Sequence, residues 1–137
     1  MNSNTLDLLL KLNPDQITKP SRQVEMKRLS EVLGEKVVFT CQAINADKFS
    51  EIQEQAVKIG NGQIENIDTG EIQIFTILEG VKEPSLKSKE LREKLNCHTP
   101  KELVTRLLLP GEITQLYNII SELSGFGGDT VAEIKNS

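Results

Sequence analysis

The sequence contains few of the residues that usually mark a catalytic or metal-binding protein. Among its 137 residues there is no tryptophan, one histidine (His98) and two cysteines, Cys41 and Cys97. A zinc site needs about four ligands at suitable spacing, more Cys and His than this chain can supply. The glycines form neither a P-loop nor a dinucleotide-binding motif, and there is no G-x-S-x-G elbow. We therefore expect no catalytic residues, no metal and no cofactor.

One catalytic alternative remains, because Cys97 and His98 are adjacent. Neighbouring side chains point in different directions, so adjacency does not pair them, and we interpret "NCHTP" as a linker before a helix. A small Cys/His enzyme would require His98 to approach Cys97 or Cys41 in space.

The chain also lacks a charge excess and a long apolar run. Sixteen basic and twenty acidic residues leave a net charge of −4, and the densest basic stretch, "VKEPSLKSKELREK", alternates lysine with glutamate. This pattern disfavours nucleic-acid binding, which depends on clustered cations. The first residues have no basic signal-peptide region, and no stretch approaches the roughly 18–20 apolar residues of a membrane span. We expect a cytosolic protein with two free thiols and no membrane contact.

The apolar residues that are present, mainly Leu, Ile and Val, predict an α+β fold with a small antiparallel sheet in the N-terminal half, packed with helices, and a helical C-terminal half. We expect a single domain over residues 1–137. Within it, residues 1–20 form a helix and linker, residues 21–126 a globular body, and residues 127–137 a hinged polar tail.

Two strands are expected near the start of the body. The alternation in "QVEMKRL" predicts the first, the β-branched run "KVVFTCQAI" predicts the second, and the turn "EVLGEK" between them favours an antiparallel hairpin. Helical spacing follows, with Phe49, Ile52, Ala56 and Ile59 on one face, Asn45 or Asp47 as cap and Gly60 as terminator. Ile64 and Ile67 could form a third strand.

The segment 71–80 fits both a helix and a strand. The helix is favoured, because Asp68 or Thr69 can cap it and Gly80 can end it.

Strong helix signals continue to the C-terminus. Ser85 or Ser88 opens one helix, and Thr99-Pro100 with Glu102 forms a capping box for the next. In "LLLPGEI", Pro110 ends that helix and starts another, so we interpret this stretch as a corner between two helices. The last helix carries apolar residues at i, i+3, i+4 and i+7 up to Leu123, and Gly125 is its expected left-handed terminator.

The chain resembles the XkdN-like tail assembly chaperones of phages and prophages of Gram-positive bacteria. The resemblance rests on the order of "LDLLLKLN", "VEMKRLSEVLGEKVVFTCQAI", "ILEGVKEPSLKSKELREKL", "TPKELVTRLLLPGEITQLYNIISELSGF" and "VAEIKN". It implies a non-catalytic cytosolic protein that binds the tape-measure protein, is compatible with binding the tail tube protein as a second partner, and is absent from the mature tail. The alternative within tail biology is a completion or connector protein that stays in the particle.

Two groups of apolar residues are candidates for partner binding. Leu6, Leu9 and Leu10 share a helical face and can dock on the body or on a partner, and we favour docking on the body. Val131 and Ile134 lie beyond the "GFGG" hinge, where they either pack locally or form an exposed segment that orders on contact.

Overall fold

The computed structural model describes residues 4–60, 63–128 and 130–134, and for residues 58–60 and 63–67 it describes the backbone only. Within this part of the chain it shows five short strands and seven α-helices. The predicted α+β class is confirmed, with a small antiparallel sheet in the N-terminal half and helices in the C-terminal half.

The main sheet has three strands in the order β1-β2-β5, formed by Ser21–Glu25, Val38–Gln42 and Val81–Glu83. The predicted antiparallel pairing of the first two is confirmed, with Ser21 opposite Gln42 and Glu25 opposite Val38. The third strand is not the predicted one. It is β5, which pairs with β2 through Thr40–Glu83 and Cys41–Val81.

The connection between β1 and β2 is a helix, α2 (Lys27–Leu33), and not the turn of a hairpin. The prediction of a strand through Leu29 is therefore wrong after Glu25. Met26, at the start of α2, makes no side-chain cap, so the helix begins without a local signal. Its end is better marked, because Gly34 has φ 72°, a left-handed conformation that favours glycine.

Helix α3 (Ala46–Ala56) begins at the predicted cap, where Asn45 Oδ1 accepts from the Lys48 amide at 2.8 Å. It ends before Ile59, so the prediction of a helix extending to Gly60 is wrong. The chain instead forms β3 (Val57–Gly60), which pairs antiparallel with β4 (Gln63–Ile67) as a separate two-stranded sheet. The predicted strand at Ile64 and Ile67 thus exists, but outside the main sheet.

Segment 71–80 is helical, as favoured, within α4 (Thr69–Gly80). Asp68 caps it by accepting from the Glu71 amide at 3.1 Å. Contacts with α3, α6 and α7 place this helix in the middle of the body, and most of its second half is buried. The buried residues are Ile74, Thr76, Ile77, Leu78 and Gly80.

Three helices complete the body and begin where predicted: α5 (Lys89–Lys94) at Ser88, α6 (Pro100–Leu107) at Thr99, and α7 (Pro110–Ser121) at the Leu109–Pro110 corner. A π-helical turn, Glu122–Phe126, follows α7, and Gly125 within it has φ 101°. The predicted terminator is therefore confirmed.

The core lies between the main sheet and helices α4, α6 and α7. Its fully buried large side chains are Phe39, Cys41, Ile77, Leu86, Leu103, Val104, Leu116 and Ile120. At the "LLLPGEI" corner only Leu108 is buried, at 4% exposure, while Leu109 is 52% exposed. No helix in the described ranges has both the length and the apolar content needed to cross a membrane.

Candidate partner-binding surface

The most unusual surface of the molecule is its N-terminal arm, residues 4–20, in which no residue is buried. The arm contains helix α1 (Thr5–Leu10), capped by Asn4 Oδ1 at 2.8 Å from the Asp7 amide, and a 3-10 turn, Pro14–Gln16. Its apolar side chains are 44–74% exposed: Leu6, Leu8, Leu9, Leu10, Leu12 and Ile17.

These exposures correct one expectation. Leu6, Leu9 and Leu10 are 63%, 59% and 74% exposed, so they do not dock on the body as favoured. Leu8, two positions from both Leu6 and Leu10, lies on the opposite side of α1 from them. A helix that is apolar on several sides cannot be covered by a single flat surface.

The described part of the C-terminal arm (residues 127–137) also presents apolar side chains. Val131 and Ile134 are each 89% exposed, so neither packs locally. Phe126, just before the arm, is 64% exposed, and its ring centroid lies 5.2 Å from that of Phe49 on α3.

Charge contributes little to the N-terminal arm, because Asp7 and Asp15 are balanced by Lys11 and Lys19. A surface of this composition attracts an apolar partner through burial of area and not through an electrostatic field.

The two cysteines occupy different places. Cys41 lies on β2 with no exposed area, and Cys97 is 6% exposed, with its Sγ donating to the Leu95 carbonyl at 3.5 Å. Burial raises the pKa of the Cys41 thiol, against a smaller lowering by Arg22. A nucleophilic cysteine needs a lowered pKa, so this environment opposes a Cys/His reaction at Cys41. Within the described ranges no cluster of His, Cys, Asp and Glu could hold a metal.

The cleft among α3, α4 and the start of α6, about 270 Å³ in volume, has an apolar floor that includes Ile52, Phe75 and Leu78. Three lysines stand at or near its rim, and each is paired with a glutamate: Lys48 with Glu51 at 3.1 Å, Lys87 with Glu79 at 2.8 Å, and Lys101 with Glu71 at 2.8 Å. Because the cations are neutralised, the cleft does not form an anion site.

Sequence reasoning missed part of the exposed apolar surface. It singled out three leucines of the N-terminal arm but not Leu8, Leu12 or Ile17, although the density of leucine in "LDLLLKL" was a signal. Outside the two arms, and not part of the candidate surface, it also missed Val32 and Leu33 on α2, which are 72% and 67% exposed. Their helix was taken for a strand and a turn.

Comparison with known proteins finds one matching family and two similar proteins from Bacillus subtilis (strain 168). The profile of the family described as phage XkdN-like tail assembly chaperone protein matches residues 6–135. The uncharacterized protein YqbN of Bacillus subtilis (strain 168) is 28% identical over 108 residues, which cover 75% of this chain and 72% of YqbN. The phage-like element PBSX protein XkdN of the same organism is 25% identical over 134 residues, covering 93% of this chain and 90% of XkdN.

A solved structure has a similar fold. The crystal structure of YqbN superposes with a TM-score of 0.68 at 25% sequence identity, over 92% of this chain and 98% of that one.

Proposed function

Because the chain belongs to the family of phage XkdN-like tail assembly chaperone proteins, we propose that it binds the tape-measure protein during tail assembly and keeps it soluble. The proposed action is non-catalytic and takes place in the cytoplasm of the bacterial host. The tail tube protein is a second proposed partner, whereas nucleic acid and membrane are not.

The physical task explains why no reaction is needed. A tape-measure protein is a long helical chain with apolar stripes, and it aggregates unless these stripes are covered before tube subunits surround it. A chaperone that covers them reversibly needs exposed apolar side chains of its own and must itself stay soluble.

The observation that carries the proposal is the exposure of the N-terminal arm. Six large apolar side chains within residues 4–20 are 44–74% exposed, and none of them belongs to the hydrophobic core of the body. Fully burying one leucine contributes about 1.5–3 kcal/mol, so several together would support a stable but reversible complex.

Co-expression with the tape-measure protein of the same tail gene cluster tests the proposal. The wild-type chain should raise the soluble fraction of that protein and co-purify with it. Leu9→Asp should reduce both effects, because it places a charge in the apolar arm. Leu33→Asp is the matched control, since Leu33 is 67% exposed, against 59% for Leu9, but lies on α2. If the wild-type chain neither binds nor solubilises the tape-measure protein, the proposal is wrong.

Mass spectrometry of purified particles separates a chaperone from a completion or connector protein. The chaperone proposal expects the chain in lysates but not in finished tails. A fixed stoichiometric amount in purified tails would favour the structural role.

A further inference from the structure

The two exposed arms leave the body at nearly the same point. The carbonyl of Pro20, the last residue of the N-terminal arm, accepts from the Ala43 amide at 2.9 Å. The next amide, that of Ile44, donates to Ser124 Oγ at 2.9 Å. Since successive Cα atoms are about 3.8 Å apart, the Pro20 carbonyl and the Ser124 hydroxyl lie within about 10 Å of each other.

Two more contacts strengthen this junction, which we call the arm root (Pro20, Ala43, Ile44 and Ser124). Arg22 Nη2 lies 3.5 Å from Glu122 Oε1, and Ser124 Oγ donates to the Ile120 carbonyl at 2.7 Å. The exposed ion pair contributes little energy. It does place Arg22 of β1 next to Glu122, the first residue of the π-helical turn.

We infer that the two arms bind one and the same helix of the partner, so that they form a single bivalent surface. This inference rests on the proposed function and names the part of the partner that the arms would contact. The occupant is an amphipathic helix of the tape-measure protein, bound through its uncharged apolar stripe.

The length of each arm supports joint binding. Helix α1 has six residues and a length of about 9 Å, so it covers fewer than two turns of a partner helix. A helix this short is not stable on its own in water. The eleven residues after Phe126, if extended, reach up to about 36 Å, which is enough to meet the same partner helix from the common root.

The charges favour this occupant over a second copy of the chain. Acidic and basic residues balance in the N-terminal arm, so the net charge of −4 lies elsewhere in the chain. Two copies joined root to root would bring like-charged bodies together, whereas an apolar stripe meets the arms without that repulsion.

Joint binding has a measurable consequence. When two arms share one ligand, each arm raises the effective concentration of the ligand for the other, and losing one arm removes more than its own contacts. Binding should also weaken when one arm is moved away from the root by a longer linker.

Fluorescence anisotropy with overlapping peptides of about 25 residues from the tape-measure protein of the same tail gene cluster tests the inference. Leu9→Asp in one arm and Val131→Asp in the other should each lower the affinity of the best peptide by about 100-fold. Inserting 20 Gly/Ser residues between Lys19 and Pro20 should lower it by about fivefold, because effective concentration falls with linker length. Leu33→Asp should stay within about twofold of wild type, and circular dichroism checks that every variant is folded.

The outcomes are distinct. If either arm variant keeps wild-type affinity, or if the insertion has no effect, the inference is overturned while the proposed function stands. Peptide-independent dimerisation that Leu9→Asp abolishes in sedimentation would assign the arms to a second copy and overturn it too. If the wild-type chain binds no peptide, the inference fails together with the proposed function.

Discussion

Arg28 and Glu112 lie 84 positions apart and form a two-point ion pair, with Nε–Oε2 at 3.1 Å and Nη2–Oε1 at 2.8 Å. The same Nη2 donates to the Leu107 carbonyl at 2.8 Å, and the same Oε1 accepts from the Leu109 amide at 2.8 Å. The Glu112 carboxylate thus caps the start of α7, and the Arg28 guanidinium links α2 to the corner between α6 and α7.

Glu112→Ala should lower the free energy of unfolding by about 1–2 kcal/mol, because it removes a helix cap and the partner of a two-point ion pair. Urea denaturation at pH 7 measures this change. Glu93→Ala is the matched control, since Glu93 is 67% exposed and lies 4.0 Å from Lys89, and it should change stability by less than about 0.5 kcal/mol. Equal effects of the two substitutions would contradict the role of Glu112.

The contribution of Glu112 should depend on pH. The hydrogen bond from Arg28 lowers the pKa of Glu112, burial opposes this shift, and the Leu109 amide adds to the lowering. A carboxyl with a lowered pKa in the folded state stabilises the fold fully above its unfolded pKa, about 4.3, and loses this contribution as pH falls through the lower folded pKa.

The difference in stability between wild type and Glu112→Gln should therefore be constant from pH 7 to about pH 5 and shrink below about pH 4. Urea midpoints measured across this range give the difference directly. If the stability difference between the two proteins stays the same down to pH 3, the ionised Glu112 is not its source.

The helices of the second half could be predicted because their signals are local. Thr99, Ser88 and Asp68 each cap a helix through a residue three positions away, so a short stretch of sequence contains the whole interaction. The corner at Pro110 was predictable for the same reason.

The main sheet could not be predicted in this way, because its strand order depends on contacts between residues distant in the sequence. Strand β5 has three residues, of which only Val81 is buried, and its partner Cys41 lies forty positions earlier. Helix α2 was missed because it follows Met26 with no side-chain cap. The ambiguity of segment 71–80 also has a cause: a helix surrounded by α3, α6 and α7 is apolar on several sides and loses its helical periodicity.

The candidate surface was predicted only in part. Leucine density marked the N-terminal arm, but whether those leucines face a core or water depends on how much core the rest of the chain builds. The arm root depends on the amides of Ala43 and Ile44, which no local pattern connects with Pro20 or Ser124.

Gly80→Ala should destabilise the protein by about 1–3 kcal/mol, although alanine is the better helix former. A Cβ at position 80 would lie 2.6–2.8 Å from three side-chain carbons of Ile120, a fully buried residue. Gly111→Ala is the control, because nothing lies within 4 Å of its added Cβ, and it should be neutral or slightly stabilising. Thermal denaturation measures both.

A double-mutant cycle makes the Gly80 result specific. In Gly80→Ala/Ile120→Ala the added methyl group occupies space that the shortened side chain leaves, so the combined loss should be smaller than the sum of the two single losses. Additive losses would mean that the clash with Ile120 is not the cause.

The two thiols should be unreactive in the native protein. Cys41 is fully buried with a raised pKa, and Cys97 is 6% exposed. With a chromogenic disulfide at pH 8, labelling should be slow in buffer and reach both cysteines within minutes in guanidinium chloride. Fast labelling of either one in the folded protein would reopen the Cys/His alternative.

Deleting residues 128–137 should leave the fold intact and weaken partner binding. Val131 and Ile134 are each 89% exposed, and a described contact that the deletion removes, from Thr130 Oγ1 to the Gly125 carbonyl at 3.1 Å, is exposed as well. The unfolding free energy should therefore fall by less than about 1 kcal/mol. Binding to the tape-measure protein should drop markedly, because the apolar side chains of one arm are gone. Loss of folded protein on this truncation would show instead that the C-terminal arm stabilises the body, and Val131→Ser/Ile134→Ser in the full-length chain would then separate its packing from its contact with the partner.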